Sequence, residues 1–236
     1  MRFCWRLTAA WRVSLLALLG TAMIPTMALA ASSGLAVIVA NSYDGFLPAA
    51  PRDASTIAET LTQNGFTTLR RLDASGGEMA GAISEIRQEA SAAGPTRFVY
   101  LSGFGMCLNN DLVLFAEDLQ PEQFKTGQVA DFAIPVSLVA GAAAADADQI
   151  LVVFDAIPRL CTRDAVKTIT LPENAVLLVT TGIGGDLVDE LDEDGSGVFA
   201  TAFSEVYTAD RPLGDVAVSY THLRAHETAS FISYAV

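Results

Sequence analysis

Histidine, cysteine and basic residues are all scarce in this sequence, and each shortage narrows the functions that it can support. The two histidines, His222 and His226, both lie in the last segment, 219–236. The rest of the chain therefore has no histidine base for a serine hydrolase and too few ligands for a zinc site. With 14 basic residues against 27 acidic ones the formal net charge is −13. Such a surface repels phosphate backbones and anionic headgroups, so we expect no nucleic-acid or membrane-surface partner.

The first 30 residues have the pattern of a secretory signal peptide. Three arginines precede an apolar run from Val13 to Met23, and small residues end the segment at Ala30. The alternative is an uncleaved anchor helix, but the run is shorter than the roughly 20 residues that span a bilayer. Cleavage after Ala30 would leave 11 basic and 27 acidic residues, a net charge of −16. We expect an exported protein, periplasmic or secreted, with no membrane attachment once the signal is removed.

The last segment, 219–236, differs abruptly from the acidic, alanine-rich sequence before it. It has the character of translated adapter sequence trailing a reading frame; the alternative is a genuine terminal helix or strand. Without it and the signal, residues 31–218 form one domain, because no repeat or Pro- or Ser-rich linker divides them.

Apolar runs alternate with segments of helical periodicity along the body, which predicts an α/β fold with a mostly parallel sheet. The strands are predicted at the apolar runs, and the helices at the segments of helical periodicity. The strands are 35–40, 66–72, 96–103, 149–156 and 174–182, and the helices are 52–64, 78–90, 134–147 and 197–207. Asn109-Asn110 between two apolar stretches predicts a hairpin.

An acidic run before the last of these helices is a candidate calcium site. Asp192, Asp194 and Ser196, with Gly197, match the spacing of the first positions of an EF-hand loop. Its twelfth position is Phe203 instead of glutamate, so a solvated acidic loop that caps the next helix is the favoured alternative. Apart from this calcium site, no cofactor is expected.

Several segments in the same order resemble the caspase-like domain, peptidase C14, in its bacterial metacaspase-like form. They are LAVIVANSYDGF, PRDASTIAETLTQNGF, FVYLSGFG, DLVLFAED, VVFDAIPR and GVFATAFSEVY. Together they extend from about Leu35 to Val218. The resemblance implies a three-layer α/β/α sandwich, with the functional site at the carboxyl ends of the parallel strands.

The same resemblance implies that the catalytic pair is missing. The family has histidine in SGHG, where this chain has Phe104, and cysteine in DAC, where it has Ile157. A cysteine peptidase needs a thiolate and an imidazole, and neither replacement supplies one. Hence no intact catalytic residue is expected at these positions.

Four residues of the family's substrate crevice are retained. By resemblance, Asp155 helps line a pocket for a basic side chain of the substrate. Ser102, Gly103 and Gly105 are the other substrate-binding candidates that the resemblance implies. The alternative for Asp155 is a carboxylate that accepts hydrogen bonds from a strand-end loop, and the glycines can equally serve a tight turn.

Two cysteines remain near these positions, Cys107 and Cys161. On the implied fold they leave the same edge of adjacent strands, within reach of a disulfide. Two alternatives remain: Cys161 as a displaced nucleophile, or two unpaired small hydrophobic residues.

Two functional hypotheses follow. The first is an exported caspase-like pseudopeptidase that binds a peptide or protein ligand without cleaving it. The second is an active cysteine-type endopeptidase that uses Cys161 or an unrecognised dyad.

Overall fold

The apolar runs of the sequence form neighbouring strands of one sheet. The computed structural model describes residues 33–159, 161–180, 197–208, 211–219 and 232–235. The strands are β1 Gly34–Ala40, β2 Phe66–Leu72, β3 Thr96–Leu108, β4 Asp111–Phe115, β5 Ala133–Pro135, β6 Gln149–Arg159, β7 Ala175–Val179 and β8 Ile232–Ala235. The helices are α1 Ala50–Gln63, α2 Gly76–Ala90, α3 Pro121–Thr126, α4 Val136–Ala143, α5 Arg163–Lys167 and α6 Val198–Val206, with a 3₁₀ helix over Gln128–Phe132.

The sheet has its parallel strands at the centre. Its order is β2-β1-β3-β6-β7-β8, and the pairings from β2 through β7 are all parallel. β4 and β5 extend the carboxyl end of β3 as an antiparallel meander, and the backbone of β8 pairs antiparallel with β7. The predicted α/β fold with a mostly parallel sheet is confirmed.

Helices cover both faces of this sheet. Leu35, Val37 and Val39 of β1 pack on the side of α2 and α4, whereas the alternating Ala36 and Ile38 pack on the side of α1 and α6. All seven residues of β1 are buried, as expected of a central strand between two helical layers. The arrangement is a three-layer α/β/α sandwich.

Local sequence explains several element boundaries. Gly65, at φ 83°, follows the end of α1, because a left-handed residue closes the last turn. Asn109 and Asn110 have φ values of 52° and 63°, so both central residues of the β3–β4 turn are left-handed. The predicted hairpin is therefore confirmed, with the geometry that two-residue loops favour.

The helix predicted over 134–147 is wrong at both ends. Ile134 instead belongs to β5 and pairs with Leu114 of β4. Pro135 has an extended backbone and is the N-terminal cap of α4. The helix ends at Ala143, followed by a turn in which Asp146 has a φ of 51°. The antiparallel partner of Ile134 is distant in sequence, so the alanine-rich periodicity could not reveal it.

One buried arginine joins the amino end of the sheet to two helices. Arg97, at the start of β3, is fully buried, and its guanidinium donates to the carbonyls of Ala90, Ala143 and Ala145 at 2.9, 2.7 and 2.6 Å. It also donates to the carbonyl of Gly94. These carbonyls lie at the ends of α2 and α4, where helices leave acceptors without intrahelical donors.

Three predicted features lie wholly or largely outside the described residues. They are the signal peptide at 1–30, the acidic loop containing Asp192, Asp194 and Ser196, and most of the segment 219–236, of which β8 is described. Among the described residues, no helix combines the length and hydropathy that a membrane span requires.

Candidate functional site

The two strand ends singled out by the sequence lie side by side. In the parallel pairing of β3 with β6, Phe104 is the register partner of Ile157, and Ser102 is the partner of Asp155. Parallel neighbours bring their carboxyl ends to one edge of the sheet, where open α/β sheets place their ligand crevices. Both strands continue beyond this point, so Phe104 and Ile157 lie within a paired extension of the sheet.

The Phe104 ring is half-buried and packs against two tilted aromatic rings. Its centroid lies 4.7 Å from that of Tyr43 and 5.6 Å from that of Phe46. The Tyr43 hydroxyl accepts a hydrogen bond from the Phe104 N–H at 3.0 Å and donates to the Phe115 carbonyl at 2.8 Å. Ring and backbone of Phe104 are thus both held by the loop after β1.

Carboxylates from two other loops hold that loop in place. Glu117 accepts from the backbone N–H groups of Tyr43 and Asp44 at 2.8 and 2.7 Å, and Asp73 accepts from Ser42 at 2.8 Å. Tyr43 and Asp44 have φ values of 53° and 54°, a left-handed conformation that turns successive N–H groups toward one anion. Burial raises the pKa of the Tyr43 phenol, so it stays neutral at physiological pH.

The two glycines of SGFG allow this close packing. Gly103 has a φ of 147°, and a Cβ there would lie 2.8 Å from the Tyr43 hydroxyl. A Cβ at Gly105 would lie 2.6 Å from the Phe154 ring. Both glycines are buried, and the space beside each of them is filled by a side chain of the same domain, Tyr43 at Gly103 and Phe154 at Gly105.

Asp155 lies among hydroxyl groups in the carboxyl-terminal half of β6. Its carboxylate accepts hydrogen bonds from the Tyr100 hydroxyl at 2.6 Å and from the Thr180 hydroxyl. Tyr100 is fully buried, and desolvation, followed by the charge of Asp155, raises the pKa of its phenol well above the ordinary value. Ser102 is buried beside this pair. A half-buried carboxylate thus lies near the carboxyl edge of the parallel strands, beside a neutral phenol.

A second carboxylate near Tyr100 was not predicted as a site residue. Asp53 of α1 is only 3% exposed and accepts a hydrogen bond from the Gly197 N–H at 2.8 Å, at the start of α6. Its charge also raises the pKa of Tyr100. Asp53 lies in the segment PRDASTIAETLTQNGF, and Tyr43 and Phe46 lie in LAVIVANSYDGF, both of which resemble the caspase-like domain. The resemblance did not indicate the contacts of these residues or of Thr180, because their partners come from distant parts of the chain.

Cys107 and Cys161 are joined in a disulfide beside Phe104 and Ile157. Their Cα atoms are 5.0 Å apart, and Cys161 is 7% exposed. The bond connects the end of β3 to the segment before α5. In this oxidised form Cys161 offers no thiolate, which is the form of cysteine that attacks a carbonyl.

Among the described residues, no group of three or more His, Cys, Asp or Glu side chains could hold a metal ion. The predicted calcium ligands lie in the part of the chain that the structure does not describe.

Comparison with known proteins agrees with this geometry. The family model for the caspase domain, peptidase C14, matches residues 33–222. The chain belongs to the caspase-domain family. A search of the curated proteins finds no match. The segments whose motifs resemble a caspase domain, Leu35 to Val218, all fall within the matched range, which also includes Phe104, Asp155 and Ile157.

Proposed function

We propose that this caspase-domain protein is a pseudopeptidase, which binds a peptide or protein ligand at the crevice without cleaving it. The observation that carries the proposal is the packing of Phe104. At the position where the resemblance places the family's histidine, the chain has a phenylalanine ring packed against Tyr43 and Phe46. An aromatic hydrocarbon can neither accept nor donate the proton that peptide cleavage requires.

The described rings that contact Phe104, those of Tyr43 and Phe46, also supply no substitute base. The chain has no histidine before His222, and the Tyr43 phenol beside Phe104 has a raised pKa. A phenol that keeps its proton cannot activate a thiol at neutral pH. Ile157, the register partner of Phe104, stands at the family's cysteine position and has no nucleophilic atom.

Ligand binding is supported by the groups that remain. Asp155 keeps a carboxylate at the crevice, which can pair with a basic side chain of a ligand. The proposal requires no cofactor. It places the protein in an exported compartment, where a disulfide such as Cys107–Cys161 persists.

The alternative is an active endopeptidase that uses Cys161, because this cysteine follows β6 within a few residues of Ile157. It would require reduction of the disulfide and a base that the described residues around the crevice do not provide.

Peptide cleavage distinguishes the two. The purified full chain should release no product from fluorogenic peptides with either basic or acidic residues before the scissile bond, with or without dithiothreitol. The Cys161→Ala variant is the matched control. Cleavage that appears under reducing conditions and disappears in this variant would establish the endopeptidase instead.

Calcium binding by Asp192, Asp194 and Ser196 is a separate prediction from the spacing of the acidic run. Calorimetry with millimolar calcium tests it, and the Asp192→Asn and Asp194→Asn double variant is the control. Absence of a heat difference between the two proteins would remove calcium from the proposal.

A further inference from the structure

An apolar surface follows the crevice along the extension of β3. Phe104, Met106 and Leu108 alternate along the strand, so they share one face, and all three are half-buried, with part of each side chain exposed. A strand face that meets only water usually carries polar side chains. With Phe46 and Leu119, these residues form what we call the hydrophobic ledge.

Buried residues support the ledge from below. Val113, Phe115 and Val129 form a small core against which Phe104, Met106, Leu108 and Leu119 pack. Phe46 projects furthest, being 68% exposed, and its ring contacts Phe104 at a centroid distance of 5.6 Å. An exposed aromatic ring on a firmly packed base is the kind of residue that dominates protein interfaces.

The loops beside the ledge are acidic. Segments 41–47 and 103–119 contain four acidic residues, Asp44, Asp111, Glu117 and Asp118, and no lysine or arginine. Asp44 and Asp118 are exposed. On the β6 side, strand register places a basic residue, Arg159, opposite Met106. The loop side of the ledge therefore favours a cationic neighbour.

We infer that the hydrophobic ledge binds a segment of a protein partner in which a bulky apolar side chain is flanked by lysine or arginine. The apolar side chain packs on Phe46 and Phe104, and its basic neighbours face Asp44 and Asp118. This inference rests on the proposed function, because it names the ligand chemistry of the same crevice.

Three labelled peptides test the inference by fluorescence anisotropy with the full chain. One has a central phenylalanine between lysines, the second has alanine in place of phenylalanine, and the third has glutamates in place of the lysines. We expect the first to bind at least about tenfold more tightly than the others, since a buried aromatic anchor contributes on the order of 2 kcal/mol.

Two variants locate the binding. Phe46→Ala removes an exposed ring without opening the core. We expect it to lower the affinity for the first peptide roughly fivefold to tenfold. The matched control is Leu138→Ala. Leu138 is also exposed, at 40%, but belongs to α4 on the other helical layer, so its loss should leave affinity unchanged.

Methyl NMR gives a readout inside the ledge. With ¹³C-methyl methionine, the first peptide should shift the Met106 signal, which a Met106→Leu variant assigns. Met79 is only 2% exposed in the core under α2 and should not move.

Failure of the ledge and failure of the proposed function give different results. Equal affinity for the phenylalanine and alanine peptides, no effect of Phe46→Ala, or no binding of any peptide overturns the ledge. Cleavage of a bound peptide overturns the pseudopeptidase proposal and leaves the ledge as a substrate site.

Discussion

At the residue scale, the nature of the site depends on two side chains at one register position. Phe104 and Ile157 are partners in β3 and β6, and neighbouring strands lie about 4.8 Å apart. The sequence identified both positions because the surrounding motifs are short and local. It did not reveal that Phe104 packs on Tyr43 and Phe46, since that contact depends on the left-handed loop that Glu117 holds.

Restoring both family residues should restore a reactive thiol. In the Phe104→His, Ile157→Cys double variant, the imidazole should lower the pKa of the new thiol, because a neighbouring imidazolium stabilises the thiolate. We expect alkylation by iodoacetamide at pH 6 to be about tenfold faster than in Ile157→Cys alone, which corresponds to a pKa lowered by one unit. Identical rates in the two variants would show that the two positions do not interact.

At the element scale, the sequence predicts the order and type of the strands and helices where the signal is local. It does not predict the ends of elements whose pairing partners are distant in sequence. The buried runs at β1 and β6 and the Asn109-Asn110 turn predicted their own elements. The division of 134–147 into β5 and α4 depends on pairing with β4. Arg97 shows the same limit, because two of its helix-end acceptors, Ala143 and Ala145, are 46 and 48 residues away.

The link from β3 to α2 and α4 should contribute strongly to stability. Arg97→Met leaves the carbonyls of Ala90, Ala143 and Ala145 without their donor, and we expect it to lower the free energy of unfolding by roughly 2–4 kcal/mol. The free energy of unfolding of Arg97→Lys should lie between those of this variant and the wild type, because an ammonium group keeps some donors but lacks the planar fork of five that the guanidinium has. Urea denaturation measures both.

Arg87→Met provides the control for this measurement. Arg87 is exposed on the last turn of α2, and its loss should change stability by less than about 0.5 kcal/mol. A loss at Arg97 no larger than that at Arg87 would contradict the structural role given to the buried guanidinium.

At the scale of the whole molecule, the tyrosines and the disulfide determine the conditions under which the domain is stable. Burial raises the pKa of Tyr43, Tyr100 and Tyr207, and that of Tyr207 rises to about 12. The folded protein therefore holds these protons more tightly than the unfolded chain, in which the phenols ionise near their ordinary pKa of 10.0.

Stability should decline in strongly alkaline solution. The contribution of these phenols is complete below about pH 10 and is lost as the pH rises toward the folded-state pKa, by up to about 1.4 kcal/mol per pH unit for each phenol. Urea midpoints between pH 9 and pH 12 measure the decline. Tyr207→Phe should make it shallower, and a slope unchanged from the wild type would refute the assignment.

Reduction of the disulfide should lower stability without unfolding the sheet. The bond joins residues separated by 54 positions, and closing a loop of that length stabilises a protein by roughly 2–4 kcal/mol. Dithiothreitol should lower the urea midpoint of the wild type accordingly. The Cys107→Ser, Cys161→Ser double variant should have the lower urea midpoint with or without dithiothreitol. Equal midpoints for all samples would argue against the disulfide.

The Cys107–Cys161 bond also determines what happens if the backbone is broken between the two cysteines. Lys125 to Gln128 are exposed and lie between β4 and β5, so a trypsin-like enzyme can reach the bond after Lys125. The two fragments would stay covalently attached, each contributing strands to one sheet. Such a nicked molecule would migrate as one band in electrophoresis without reductant and as two bands with it.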